Sequence, residues 1–139
     1  MADFLSPAGR SERMSRIRGR DTAPELAVRR YLHREGFRYR LHVRDLPGRP
    51  DIVLPKYGVV IFVNGCFWHA HACQKGRIPS TRSDFWEEKF RNNRSRDERS
   101  RRALRKAGWR VLTVWECSLS TKVRAERELG LLKHKIANW

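Results

Sequence analysis

Gly65-Cys-Phe-Trp-His-Ala-His-Ala-Cys73 gathers two of the chain's three cysteines, two of its five histidines and the pair Phe67-Trp68. Thiolate sulfur and imidazole nitrogen are ligands of zinc, which takes four of them in a closed tetrahedral structural site. Cys66, His69, His71 and Cys73, with Cys117 in Trp115-Glu-Cys117, offer five candidates for four positions. Three thiolates and one imidazole satisfy such a site and leave one histidine over. Both Cys-x2-His and Cys-x4-His occur in zinc sites, so spacing does not choose between His69 and His71. The spare imidazole is either a general base working near neutral pH or a passive surface histidine. Ordinary buried cysteines with a surface histidine are the alternative for the whole group, and the density of ligands favours metal.

A second chemistry starts at Pro50-Asp51. A carboxylate opening a strand can hold Mg²⁺, a hard cation that takes oxygen ligands and keeps several waters. Taken alone, Pro-Asp is more often a turn. Its weight comes from the elements around it.

Those elements follow from periodicity and punctuation. Thr22-Ala-Pro-Glu25 has the spacing of a capping box, and Pro24 suits a first helical turn. Ala27, Val28, Tyr31 and Leu32 then form one apolar stripe, ended by Gly36. Glu25 sits on the edge of that stripe, where it can cap the helix or point inward toward a site; capping is the simpler reading. Phe37, Tyr39 and Leu41 alternate with Arg38, Arg40 and His42, the period of a half-buried strand. Leu46-Pro-Gly-Arg-Pro50 is turn chemistry, Asp51–Leu54 a short strand, and Val59–Val63 a continuous apolar run suited to a strand buried on both faces. Three strands joined so tightly predict an antiparallel meander.

Beyond the cysteine loop, a long helix is predicted from about Asp84 to Ala107, stopped by Gly108 and rich in arginine along its later turns. Trp109–Trp115 reads as a fourth strand, and strand–helix–strand implies a right-handed crossover to a parallel neighbour. The C-terminal ends of the third and fourth strands then meet, which brings Cys117 to the loop that begins at Cys66. Ala125, Leu129, Leu132 and Ile136 space one face of a last helix. The sum is an α/β layered domain with a mixed sheet: an antiparallel meander plus a parallel crossover strand, flanked by helices.

Composition bounds the partners. The 139 residues suffice for one domain, expected over 21–139, and carry a net charge of +16 from 31 Lys and Arg. Such a field draws phosphate-rich partners and makes binding steeply salt-dependent. Residues 1–20 hold Arg10, Arg13, Arg16, Arg18 and Arg20 and read as a basic arm for DNA, or equally as a tail without a role. The N-terminus lacks the apolar segment of a secretory signal and no stretch approaches membrane-spanning length, so the expectations are no membrane and a cytoplasmic location. Cysteines beside histidines fit a reducing compartment and a metal better than disulfides.

Pro-Asp, a meander and a central strand resemble the restriction-endonuclease-like fold, although Phe62-Val-Asn-Gly65 lacks the acid and lysine of that fold's usual signature. In combination, several motifs resemble the very short patch repair (Vsr) endonucleases. They are Arg20-Asp-Thr-Ala23 with Glu25, Leu46-Pro-Gly-Arg-Pro-Asp51, Val60-Ile-Phe62 with Gly65-Cys-Phe-Trp-His69, Thr81-Arg82 with Phe85-Trp86, and Gly108-Trp-Arg-Val-Leu112 with Val114-Trp-Glu-Cys117. The resemblance spans roughly residues 10 to 120.

It implies an enzyme that nicks the thymine strand on the 5′ side of a T·G mismatch left by deamination of 5-methylcytosine. By the same analogy Asp51 and the Val63 carbonyl bind catalytic Mg²⁺, His69 activates water, and Glu25 is an auxiliary acid. Cys66, His71, Cys73 and Cys117 then hold a structural Zn²⁺. Phe67, Trp68 and Trp86 wedge into the base stack, while Met14, Ile17 and Lys89 match DNA-contacting positions. For Trp86, packing in the core is a competing account. A bacterial, nucleoid-associated location and a functional link to a cytosine-5 DNA methyltransferase are implied as well. Val63-Asn64 stands where a member of the family carries Thr-His, and no role is carried over to Asn64.

A monomer is expected, because a lone mismatch has no two-fold symmetry. Two other functions compete: a zinc-stabilised DNA-binding module without catalysis, and a related nuclease with another DNA target. Asp51 and His69 are superfluous to a pure binder. No His-x-Glu accompanies the cysteines, which sets a zinc deaminase aside.

Overall fold

The computed structural model describes residues 22–66 and 82–138. Six main elements run in the order α1 (Ala23–Arg34), β1 (Ile52–Leu54), β2 (Val59–Asn64), α2 (Ser83–Lys106), β3 (Arg110–Trp115) and α3 (Lys122–Ala137). Short 3-10 turns follow β1 and β3.

The first helix begins as its sequence dictates. Thr22 takes an extended conformation, its Oγ1 accepts the Glu25 N–H, and Pro24 occupies the first turn. One stripe of α1, Val28 and Leu32, is fully buried. The sheet order is β1-β2-β3. β1 pairs antiparallel with β2, Ile52 against Ile61, and β2 pairs parallel with β3, Asn64 against Trp115. As the central strand, β2 has both faces covered. Helices α1 and α3 pack on one face, where Val28, Leu32, Leu129, Leu132 and Ile136 meet Ile52, Val59, Ile61 and Val114. On the other face Leu104 of α2 meets Val53 and Val60, with Phe62, Trp109 and Val111 beside them. This is the expected α/β architecture, a mixed sheet between helices of the restriction-endonuclease-like kind.

The expected first strand of the meander does not form as a strand. Residues 37–42 pair with the sheet at one point, where Arg40 and Val53 exchange backbone hydrogen bonds of 2.8 and 3.0 Å. His42, at φ 56°, turns the chain into the left-handed region and ends the extended run. The polar alternation that suggested a strand therefore gives an isolated bridge. The long helix begins at Ser83, next to the expected Asp84, after Arg82, itself left-handed at φ 56° with no side chain capping the helix. Gly108, at φ 98°, ends that helix as expected.

One arginine ties three elements together. The Arg110 guanidinium donates to the carbonyls of Lys135 (2.9 Å) and Ile136 (3.0 Å) at the end of α3, and to that of Tyr57 (3.2 Å) ahead of β2. Those carbonyls in α3's last turn lack intrahelical partners, so a guanidinium there satisfies them and opposes the helix dipole.

Candidate active site

Asp51 sits where the turn Leu46–Pro50 meets the sheet. Its own N–H donates to the Ile61 carbonyl at 3.0 Å, and its Oδ2 accepts the Val63 N–H at 2.6 Å. Asp51 thus lies one residue before β1, locked against the far end of β2. The turn that delivers it is held tightly. Gly48 has φ 74°, and a Cβ there would lie 2.7 Å from Ser100 Cβ on α2 and 3.3 Å from Phe62 Cζ. Only a glycine fits both the left-handed backbone and that approach.

Glu25 reaches the same place from α1. Its side chain is buried, 2 % exposed, and forms an ion pair with Arg29 one helical turn on, at 3.2 Å. The capping alternative is therefore half right. Thr22 caps the helix, while the Glu25 carboxyl turns inward to Asp51. Burial, and next the charge of Glu25 and a hydrogen bond to it, push the Asp51 carboxyl up to about 8, against the Val63 N–H and the Arg29 charge. Two carboxyls sharing one partly dry site repel each other when ionised. Such a donor set is short of positive charge, and a hard divalent cation is its natural complement. The chemistry of these residues fits Mg²⁺.

Just beyond that same end of β2, Cys66 is buried and Cys117 half-buried. The parallel register brings them together as the sequence requires: the Cys117 N–H donates to Cys66 Sγ at 3.3 Å, and the Cys66 N–H donates to Glu116 Oε1 at 3.3 Å. A cysteine sulfur held against the backbone of a second cysteine suits a soft ion such as zinc. Among the described residues no group of three or more His, Cys, Asp or Glu assembles for a metal, and the other expected zinc ligands, His71 and Cys73, lie outside them. So do His69, Phe67, Trp68, Met14 and Ile17.

Trp86 and Lys89 lie on α2. Trp86 is half-buried, stacked between Phe85 (5.2 Å between centroids, edge-on) and Phe90 (5.7 Å, tilted). Phe85 remains 45 % exposed, with the Arg82 guanidinium 4.6 Å above its ring. Trp86 thus packs within an aromatic group while part of its surface stays exposed. Asn64 is buried at the end of β2. Arg29 had no place in the sequence reading, and Gly48 and Glu116 stood there only inside motifs, without a role of their own. Glu25 and Arg29 are four apart on a helix, a spacing that pairs opposite charges, so that partner was legible. The other two depend on contacts across the fold.

The fold and the carboxylate corner define a nuclease-like α/β protein, and comparison with known proteins narrows the class. A family model described as DNA mismatch endonuclease Vsr matches residues 2–75. The DNA mismatch endonuclease Vsr of Escherichia coli K12 is 42 % identical over the whole of this chain and 88 % of its own length. A type II nicking enzyme, V.XorIIP of Xanthomonas oryzae pv. oryzae, is 48 % identical across 99 % of this chain and 96 % of its own. Another, V.NmeAIP of Neisseria meningitidis, is 43 % identical across 98 % and 97 %. The chain belongs to the Vsr DNA mismatch endonuclease family.

Proposed function

We propose that the protein is a strand-nicking DNA endonuclease that hydrolyses the phosphodiester on the 5′ side of the thymine in a T·G mismatch. The observation that carries this is the pairing of half-buried Asp51 with buried Glu25, set against Val63 at the end of a central strand, in a chain of this family. Asp51 and the Val63 carbonyl would hold Mg²⁺, with Glu25 as auxiliary acid. When bound, the ion supplies charge that neutralises the scissile phosphate and a site for water. Arg29 fixes Glu25 and offsets part of the corner's negative charge. His69 accepts the proton of the attacking water.

Cys66, His71, Cys73 and Cys117 would bind a structural Zn²⁺, and the approach of Cys66 to Cys117 supports that set. Phe67, Trp68 and Trp86 unstack the bases at the mismatch, a cost of a few kcal/mol per step that is smallest where pairing is already weak. The basic arm of residues 1–20, with Met14 and Ile17, and Lys89 on α2 contact the duplex. The net charge of +16 supports this affinity for DNA. The enzyme acts as a monomer in the bacterial cytoplasm, on damage at sites of a cytosine-5 methyltransferase. Among the described residues no helix is long and apolar enough to cross a membrane.

The test is nicking of a labelled duplex with one T·G mismatch, beside its C·G twin, in Mg²⁺ or EDTA, with His69→Ala and Asp51→Ala in parallel. A Mg²⁺-dependent nick 5′ to the thymine, missing from the twin and from both variants, is the expected result. Tight mismatch binding without any nick, across varied flanking sequences, would replace the enzyme with a binding module. Cutting of both strands of the twin would point to a different DNA target.

A further inference from the structure

Where β2 and β3 end, the chain departs from an ordinary parallel ladder. The paired register stops at Asn64 and Trp115, and two residues later β2's strand has reached Cys66. There the Cys66 N–H finds a side chain, Glu116 Oε1, at 3.3 Å. The next residue on the β3 side returns the contact, its N–H donating to Cys66 Sγ at 3.3 Å. The Cys117 carbonyl is held in turn by Ser120, whose Oγ and N–H donate to it at 2.8 and 3.3 Å. Cys66 is therefore clasped at both amide and sulfur by two consecutive residues fifty positions away in sequence. A backbone carbonyl in place of the carboxylate would prolong the ladder and keep the strands together. The Glu116 side chain instead holds the Cys66 amide beyond the last paired residues of the two strands.

We propose that Glu116 is a positioning residue for metal binding: by holding the Cys66 amide it presents the Cys66 thiol toward Cys117 and anchors the start of the segment that carries His69. The inference rests on the reading of Cys66 and Cys117 as zinc ligands. Partners one bond removed from a ligand commonly change metal affinity ten- to a hundredfold, because a misdirected ligand must be reoriented each time the ion binds. Glu116 acts through its acceptor oxygen, so a glutamine should replace it.

The experiment uses the full chain purified with zinc. Metal content is measured by elemental analysis, and zinc release to a chromogenic chelator is timed for the wild type, Glu116→Ala, Glu116→Asp and Glu116→Gln. Each is also assayed for T·G nicking. The wild type should carry one zinc per chain. Glu116→Ala and Glu116→Asp, the latter too short to reach the amide, should release it at least about tenfold faster. Their kcat should fall with little change in KM for DNA. Glu116→Gln should stay within about threefold of the wild type on both counts. Should Glu116→Ala not fold, the Asp and Gln pair still separates reach from charge. Release at the wild-type rate from the Ala and Asp variants overturns the inference, and so does a Gln variant as leaky as they are. A wild type that carries no zinc and none of whose variants differ overturns the zinc reading itself, and the inference falls with it.

Discussion

Asp51→Asn should make the metal-free protein more stable, by an amount that grows with pH. The native carboxyl is pushed from its ordinary 3.8 up to about 8, first by burial and then by Glu25. In the unfolded chain the same group ionises near 3.8. Between those values the folded state holds a proton that the unfolded state has lost. A raised carboxylate pKa therefore means that stability is greatest below 3.8 and is lost as pH rises toward 8. Each pH unit in that window is worth up to about 1.4 kcal/mol, which sets a ceiling of about 6 kcal/mol on the whole penalty. Arg29 nearby and the sharing of one proton between Asp51 and Glu25 reduce what a single substitution recovers. An asparagine keeps an oxygen for the Val63 N–H and has no charge to desolvate. The expected gain is close to zero at pH 4 and about 2 kcal/mol at pH 7, measured by urea denaturation in EDTA over that range. Millimolar Mg²⁺ should stabilise the wild type and leave the variant unmoved, and the variant should not nick. A gain that is flat with pH, or a loss that deepens as pH rises, would refute the electrostatic account of this corner.

Other positions yield sharper structural tests. Gly48→Ala combines a strained φ with a 2.7 Å approach to Ser100, and should cost about 2 kcal/mol and most of the nicking. Adding Ser100→Gly removes the nearest obstacle, so a double-mutant cycle should return about half of that stability; no recovery would place the cost in the backbone alone. Arg29→Met leaves the buried Glu25 carboxylate without its cation, which should lower stability by about 3 kcal/mol and raise the pH at which Mg²⁺ begins to bind, read by calorimetry. Arg110→Met deprives the Lys135, Ile136 and Tyr57 carbonyls of their donor and should cost about 2 kcal/mol, with exchange of amides in the last turn of α3 accelerated most.

Sequence made the helices and the central strand legible, because each carried its own punctuation. Thr22 and Pro24 mark the first turn of α1, Gly108 stops α2, and the run Val59–Val63 with no polar alternation suited a strand covered on both sides. The adjacency of Cys66 and Cys117 followed from topology alone, since a parallel crossover brings like strand ends together. What escaped was non-local or conformational. Nothing in Phe37–His42 announces that His42 takes a left-handed backbone and reduces a strand to a bridge at Arg40. Gly48 looked like any turn glycine until Ser100, fifty-two residues on, came to lie against it. Glu25 shows why a local signal is no guide to direction. Its spacing from Thr22 satisfies a capping box, yet the cap needs only the Glu25 amide, and the carboxyl is free to serve the interior.

The two ends of this chemistry are closer than their sequence separation implies. The Val63 amide anchors Asp51, and three residues later the Cys66 amide is anchored by Glu116. One anchor grips the end of β2 and the other the chain two residues past it, so the carboxylate corner and the cysteine pair share one base in β2. That strand is buried on both faces, and a packed interior transmits a displacement instead of absorbing it. A change that tilts the end of β2 should therefore disturb both sites at once. Val63→Ala, which opens a cavity beneath that end while keeping both amides, should reduce nicking and hasten zinc release together. The transferred volume predicts a stability loss of about 2 kcal/mol. Nicking impaired with zinc release unchanged would show instead that the two sites are seated independently.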